Sequence, residues 1–384
     1  MHESLLTLPP LSLYIHIPWC VKKCPYCDFN SHAAGTELPE EAYVQALIHD
    51  LDIEGSYVQG RKLSSIFLGG GTPSLFSIEA IGRIIQAAKR RIGFEENIEI
   101  TLEANPGTFE QKKFQGYHSV GVNRLSIGVQ SFNNQHLEKL GRIHSAEQAI
   151  TAINAARKSG FDNFNIDLMH GLPAQTTEQA LADLKQAIDL SPTHISWYQL
   201  TIEPNTAFYS TPPKLPADII LETIQDHGHQ LLLDNGYQQY EVSAFCRNNH
   251  QSVHNLNYWE FGDYIGIGAG AHGKITLPSE QRIIRTAKTR NPSDYLAREH
   301  SYTASCKNIS TDELPLEFMM NALRLNRGVP VNIFHERTGI NIKDITKNLT
   351  QLKDMALIEE SHDHIVTTQK GHKFLNSVLD IFNR

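Results

Sequence analysis

The chain alternates between two hydrophobic periods over its first two-thirds. Leu11-Ser-Leu-Tyr-Ile-His-Ile17 carries apolar residues at every second position, the pattern of a strand. A helical stretch follows, with Pro39 at its start and Tyr43, Leu47 and Leu51 spaced by four. Ser65-Ile-Phe-Leu68 reads as the next strand and runs into Gly69-Gly-Gly-Thr-Pro73; Ile78, Ile81, Ile85 and Ala88 then mark a helix face. Further strands are predicted over residues 98–103, 124–130, 163–169 and 194–200. Ser145-Ala-Glu-Gln148 and Thr176-Thr-Glu-Gln179 have the form of capping boxes, which open helices between those strands. Six strand–helix units in series predict parallel strands joined by right-handed crossovers, and so an α/β protein built on an open or closed β/α barrel. In such barrels chemistry gathers at the C-terminal ends of the strands. Here those ends carry Cys20, the glycine run, Glu103, Gln130 and Asp167.

The pattern changes after Cys306. Leu316, Met319, Met320 and Leu323 mark one helix, and residues 331–337 and 345–355 two more. Residues 357–360 and 364–367 read as a small hairpin, followed by a final helix over 374–382. That order is winged-helix-like. Residues 311–384 hold nine Lys/Arg against ten Asp/Glu with no basic stripe, which argues against nucleic-acid binding and for a lid or partner-docking module. The expected division is a barrel over 1–245, a connecting segment over 246–310 and a small C-terminal domain over 311–384.

Bulk properties narrow the class. The 384 residues suffice for one large domain and a small one, and the net charge of −8 disfavours generic nucleic-acid binding. Five cysteines, three of them in one loop, do not make a secreted disulfide framework. Met1-His-Glu-Ser-Leu-Leu6 shows no basic stretch or signal-like apolar core, and no apolar run approaches membrane-spanning length. A cytoplasmic location is expected.

The sharpest chemical signal is Cys20-Val-Lys-Lys-Cys24-Pro-Tyr-Cys27. Three thiolates at C-x-x-x-C-x-x-C spacing wrap one loop around a four-iron, four-sulfur (4Fe-4S) cluster and leave one iron without a protein ligand; ordinary clusters take four cysteines. A zinc site would want a fourth ligand, for which His16 and His32 are available, but no second short-spaced pair exists because Cys246 and Cys306 are isolated. Packing or redox cysteines are the remaining alternative. Gly69-Gly70-Gly71 exceeds the needs of a tight turn and suits close backbone contact with a ligand; it lacks the lysine of a phosphate loop. Gly268-Ala-Gly-Ala-His-Gly273 matches G-x-G-x-x-G, but Lys274-Ile-Thr-Leu-Pro278 does not continue as a helix, so a close-packed turn is expected instead of a dinucleotide fingerprint.

The cysteine loop resembles that of the radical S-adenosylmethionine superfamily, and Gly-Gly-Gly-Thr-Pro its methionine-binding strand end. More closely, the chain resembles the oxygen-independent coproporphyrinogen III oxidase family over nearly its whole length. Within it, His16-Ile-Pro-Trp-Cys20, Cys27-Asp-Phe-Asn-Ser31 and His254-Asn-Leu-Asn-Tyr-Trp259 are similar to the haem-chaperone subgroup. The resemblance implies a partial β/α barrel of the radical S-adenosylmethionine type. Cys20, Cys24 and Cys27 would ligate the cluster, and Tyr14, Gly70 and Glu103 would contact cluster-bound S-adenosylmethionine. Tyr26, Gly71, Thr72, Gln130, Arg142 and Asp167 match positions that contact a second such molecule in the oxidase; a structural Arg142–Asp167 ion pair is the bland alternative. His254 is the expected haem ligand, with Tyr258 and Trp259 packing on the macrocycle; a satisfied structural histidine is the alternative reading.

Two departures from the oxidase pattern matter. Phe29 stands where the oxidase has a further cysteine, and only ten residues precede Leu11 where the oxidase has a long segment. The resemblance therefore implies a haem chaperone that passes haem to an acceptor protein, a respiratory one for example, and carries a cluster with exchangeable S-adenosylmethionine. A reductase or flavodoxin-type electron donor is the further partner implied. The alternative is an oxygen-independent coproporphyrinogen III oxidase, an oxidative decarboxylase; no catalytic side chain is assigned. A nucleic-acid-binding winged-helix regulator is the third reading, disfavoured by charge.

Overall fold

A computed structural model describes residues 6–35, 37–107, 111–361 and 363–383. The signal-peptide reading of the first residues falls largely on 1–5, outside the described residues. The central strands are β1 (Leu11–Ile17), β2 (Leu63–Gly70), β3 (Phe94–Ala104), β4 (Arg124–Gln130), β5 (Phe164–His170) and β6 (His194–Gln199). They lie side by side in chain order, each parallel to the next. The later strands are β7 (Gln238–Glu241), β8 (Ala244–Cys246), β9 (Asp263–Ile267), β10 (His272–Leu277), β11 (Arg282–Lys288) and β12 (Thr303–Asn308). The full order is β12-β11-β10-β9-β1-β2-β3-β4-β5-β6-β8-β7. The barrel is thus open. β9 adds in parallel to the free side of β1, and antiparallel strands extend both ends.

Helices cover the outer face. α1 (Glu40–Ile53) and α2 (Ile78–Arg91) follow β1 and β2. α3 (Ala146–Lys158) and α4 (Thr177–Asp189) start at the two predicted capping boxes, in which Ser145 and Thr176 accept from the backbone of Gln148 and Gln179 while those glutamines reach back to the cap N–H. The α2 N-cap is Ser77, which accepts from Ala80 N.

Strand alternation decides what faces inward. In β4, Leu125, Ile127 and Val129 are fully buried apolar residues, whereas Ser126, Gly128 and Gln130 line an internal cavity. β5 repeats this with Phe164, Ile166 and Leu168 against Asn165 and Asp167. The outward set joins one large core with the helices. The inward set leaves polar groups around empty space, since one sheet supplies both the core and the lining at period two.

The C-terminal residues form their own apolar cluster around Leu314, Phe318, Met319, Phe334 and Leu352, and Phe261 and Ile283 attach it to the sheet. α6 (Leu314–Ala322), α7 (Val331–Thr338) and α8 (Thr346–Asp354) match the predicted helices; α5 (Val253–Trp259) precedes them in the chain. The expected hairpin is much reduced. Residues 357–360 and 364–367 share one bridge, Ile358 to Thr367, and a bond from Glu359 N to Val366 O at 2.9 Å, while His364–Ile365 also pairs with Val329–Pro330. The predicted last helix, 374–382, is shortened to Leu375–Asp380, and a separate turn of helix, Gln369–Lys373, precedes it across Phe374 (φ −112, ψ 38).

Candidate functional site

The cysteine loop leaves β1 at its C-terminal end and closes on itself. Trp19–Cys20 pairs in parallel with His32–Ala33, Ala34 N donates to Cys20 O at 2.8 Å, and Cys27 N donates to Cys24 O at 3.2 Å. Cys20, Cys24 and Cys27 are half-buried, free of disulfides, and face one cavity of about 340 Å³. Among the described residues no three His, Cys, Asp or Glu side chains converge on a single ion. His16, one of the two histidines available as a fourth zinc ligand, is held instead through both ring nitrogens by Tyr14 OH and Asn30 O. Arg142 Nη1 lies 3.6 Å from Cys24 Sγ, and Ser31 Oγ 3.7 Å from Cys27 Sγ. Burial pushes the Cys20 and Cys27 thiols up, against hydrogen bonds from Thr72 and Ser31 respectively. A half-buried trio of soft sulfur donors with N–H and O–H groups beside them suits a cluster larger than one ion.

The same cavity collects most of the other predicted residues: Tyr26, Gly70, Gly71, Thr72, Glu103, Gln130, Arg142 and Asp167. Gly70 has φ 112, open to glycine, and a Cβ there would meet the His16 ring at 2.5 Å. Gly70 N donates to Glu103 Oε2 at 3.1 Å. Burial, with the Asp167 charge adding to it, pushes the Glu103 carboxyl up to about 8. Asp167 accepts from Ser126 Oγ at 2.9 Å and Asn165 Nδ2 at 2.7 Å; burial raises it also. Two carboxyls in one desolvated space make a seat for a cationic group. Arg142 Nη2 donates to Asn105 Oδ1 at 2.6 Å and Gly128 O at 2.7 Å. It makes no ion pair with Asp167 among the described residues, so that bland alternative falls. Gln130, at φ 70, accepts from Tyr198 OH at 2.9 Å; a non-glycine residue in that region is strain at the cavity wall.

Tyr14 and His254 lie elsewhere. Tyr14 lines a second cavity of about 540 Å³, its hydroxyl 2.7 Å from His16 Nδ1 and its ring stacked on Phe67. Burial first, then the Glu103 charge, push its phenol well up. Tyr258 and Trp259 of α5 and Phe29 also line this larger cavity, and Phe29 borders both. His254 does not line it. The residue is 5% exposed, its ring stacks on Phe67 at 4.2 Å, and Nδ1 lies 2.9 Å from Glu99 Oε1. Glu99 also accepts from Val253 N and His254 N, each at 3.1 Å, with Arg124 at 3.8 Å. Burial pushes Glu99 up, but the His254 bond and the Arg124 charge outweigh it and hold the carboxylate at about 2. The expected ligand His254 is thus turned toward Glu99 behind Phe67. The first turn of α5, with His254, docks on β3 through Glu99, and the last turn, with Tyr258 and Trp259, reaches the cavity.

Sequence reasoning missed Ser126, Asn105 and Tyr198 in the smaller cavity and Phe67, Arg285 and Arg290 in the larger. Period-two alternation marks Ser126, Gly128 and Gln130 as one face, a signal that was available. Nothing local marks Arg285 or Arg290, which arrive by strand pairing.

Comparison with known proteins bears on this arrangement. Residues 14–187 match the pattern of the radical SAM superfamily and residues 309–374 that of the HemN C-terminal domain. The chain is 53% identical to the heme chaperone HemW of Haemophilus influenzae, over 98% of each chain. It is 51% identical to the heme chaperone HemW of Escherichia coli, over 98% of this chain and 99% of that one. In fold it is similar to the coproporphyrinogen III oxidase HemN of Escherichia coli, with a TM-score of 0.82 at 24% identity over 98% of this chain and 90% of that one. Among the described residues no helix is long and apolar enough to cross a membrane. On the strength of its full-length relatives, the chain belongs to the HemW family of haem chaperones, within the radical SAM superfamily.

Proposed function

We propose that this protein binds haem in the larger cavity and passes it to an acceptor protein, while the smaller cavity holds a 4Fe-4S cluster and S-adenosylmethionine. One observation carries the reading. Phe29, which departs from the oxidase pattern, and the Tyr258–Trp259 pair of the haem-chaperone motif are far apart in the chain yet line the same 540 Å³ cavity. Its walls are largely aromatic, its volume lies in the usual range for a bound cofactor, and basic side chains stand at it. That combination suits a flat apolar ring with carboxylate arms.

In the smaller cavity Cys20, Cys24 and Cys27 would hold the cluster, and Arg142 and Ser31 would donate to its sulfur ligands. Bound there, a cluster with one open iron supplies one-electron chemistry to S-adenosylmethionine. This chain's residues would seat the ligand: Glu103 and Asp167 its positive charge, Gly70 and Gly71 its close approach to backbone, and Thr72, Gln130, Arg142 and Tyr26 the remaining polar edges. Tyr14 would contribute from the neighbouring wall through its nearness to Glu103. His254 would act on haem indirectly, by anchoring the helix that carries Tyr258 and Trp259. The three-way division at 245 and 310 then separates the cluster barrel, the haem-lining segment and a docking module. An electron donor of reductase or flavodoxin type and a location in the cytoplasm belong to the same proposal.

The second reading, porphyrinogen oxidation, draws on the retained polar lining of the smaller cavity. Anaerobically reconstituted protein decides between them. Saturable haem binding at one haem per chain, without conversion of coproporphyrinogen III to protoporphyrinogen IX when reductant and S-adenosylmethionine are supplied, is expected. Sustained turnover without haem binding would reverse the order.

A further inference from the structure

Three histidines stand at or behind the larger cavity, and two are committed. His16 uses both nitrogens, Nδ1 at 2.7 Å from Tyr14 OH and Nε2 at 2.8 Å from Asn30 O. His254 is held by Glu99 and Ser252 behind Phe67. His272, the first residue of β10, has an exposed side chain on the cavity wall, and its ring has no hydrogen-bond partner among the described residues. Partial desolvation of the ring on the cavity wall, then the Arg290 and Arg285 charges, hold its pKa below the ordinary histidine value, so the neutral imidazole with a lone pair prevails at neutral pH. The competing phenols on the wall, Tyr14, Tyr258 and Tyr264, are all pushed up by burial, which opposes the phenolate an iron would need.

Two basic side chains from the next strand and its continuation line the same cavity. Arg285 is already engaged by Tyr264 OH at 2.8 Å and Glu317 Oε2 at 2.5 Å. The exposed Arg290 guanidinium has no side-chain partner among the described residues, while its backbone carbonyl accepts from Asn30 Nδ2 at 2.8 Å. The loops carrying His272 and Arg290 are held together, since Gly270 N donates to Thr289 O at 2.9 Å. An uncommitted imidazole and an uncommitted guanidinium thus flank an aromatic cavity from adjacent strands.

We propose that His272 supplies the imidazole ligand to the haem iron and that Arg290 receives a haem propionate. The assignment rests on the haem reading above. A neutral imidazole is a usual axial ligand, and a planar guanidinium matches a carboxylate bidentately. The turn from Gly268 to Gly273, which resembles a dinucleotide fingerprint only on paper, is on this view the edge of a haem site.

The test is titration of the full-length, cluster-reconstituted protein with ferric haem and with its dimethyl ester, followed by absorption and electron paramagnetic resonance. Wild type, His272→Ala, Arg290→Gln and His254→Ala are compared. His272→Ala should lose the imidazole-ligated spectrum, and added imidazole should restore it. Arg290→Gln should keep that spectrum and bind haem about tenfold more weakly. The ester should bind wild type about tenfold more weakly than haem, and Arg290→Gln should not weaken the ester further. His254→Ala should lower affinity without changing the type of spectrum. An unaltered spectrum in His272→Ala, its loss in His254→Ala alone, or equal affinity for haem and ester would overturn the assignment while leaving haem binding itself standing. Absence of saturable haem binding by wild type would instead overturn the haem reading, and this assignment with it.

Discussion

At the scale of single residues, the smaller cavity is defined by sulfur and carboxyl groups whose burial alters their chemistry. Cys20→Ala, Cys24→Ala and Cys27→Ala are each expected to abolish the four irons per chain of the reconstituted protein. Cys246→Ala and Cys306→Ala are expected to retain them, since Cys246 is buried in a separate small cluster and Cys306 is exposed on β12. Iron and sulfide analysis of the five variants checks this. Glu103 makes a prediction with a definite sign. Its carboxyl is raised to about 8, so in the ligand-free cavity it is mostly protonated below that pH. A cationic ligand seated there must displace the proton, and S-adenosylmethionine affinity should therefore rise with pH up to about 8, by at most about tenfold per unit. Glu103→Gln should remove the slope, which calorimetry in buffers of different ionisation enthalpy would detect. A flat profile in wild type would remove Glu103 from the ligand's charged end. The same raised value destabilises the ligand-free fold as pH rises from about 4.5 to about 8.

Among elements, α5 connects the largest number of functional features. Its Ser252 N-cap accepts from Asn255 N, its first turn is pinned to β3 by Glu99, and its last turn faces the larger cavity. Removing the imidazole leaves the Glu99 carboxylate buried with fewer donors. Burial holds His254 itself below the ordinary histidine value, so the loss is that of one hydrogen bond to a buried carboxylate, and His254→Ala should cost about 1–3 kcal/mol of stability, read as an earlier denaturant midpoint. Glu99 is depressed to about 2 in the folded state, so its contribution is complete above about 4.5 and lost as pH falls toward 2. The acid transition of Glu99→Gln should accordingly be shallower than that of wild type over that window. A buried triad, Lys288 with Asp50 and Glu54, holds the glycine turn. Lys288, fully buried, reaches Asp50 and Glu54 at 2.6 Å each, and Asp50 accepts from Gly268 N at 3.2 Å and Tyr295 OH at 2.8 Å. α1 thereby holds the edge of the larger cavity through ionic contacts that periodicity does not announce.

For the whole molecule, the decisive fact is that two cavities of different chemistry share one residue of wall, Phe29. The polar one belongs to the strand ends of the barrel. The aromatic one opens where β9, β10 and β11 extend the sheet past β1. Separate walls predict separable losses. Cys20→Ala, devoid of cluster, should still take up one haem per chain with its spectrum unchanged, and His272→Ala should keep its four irons. Haem titration and iron analysis on the same two preparations check both halves. If loss of the cluster abolished haem binding in a folded protein, the two-cavity account would fail.

The order of elements, both capping boxes, the cysteine loop and nearly every polar strand end were legible from the sequence because each is a local pattern: period two, period 3.6, an N-cap offset of three, or three thiols within one loop. The three thiols, Glu103 and Asp167 were recognisable as a group because parallel strands in series must end at one rim. What only tertiary structure decided was non-local. Tyr14 lies two residues from His16 on one strand, yet its membership of the larger cavity depends on Phe67 from β2 and Tyr264 from β9. The direction of His254 was decided by Glu99, 155 positions away, whose buried charge demanded a donor. His272 and Arg290 came to line the same cavity as Phe29 only through the pairing of β9 with β1 and the antiparallel strands that follow. Side-chain identity and short spacing are written in the chain; which buried charge claims a histidine, and which is left facing a cavity, is settled by the global balance of desolvation against pairing.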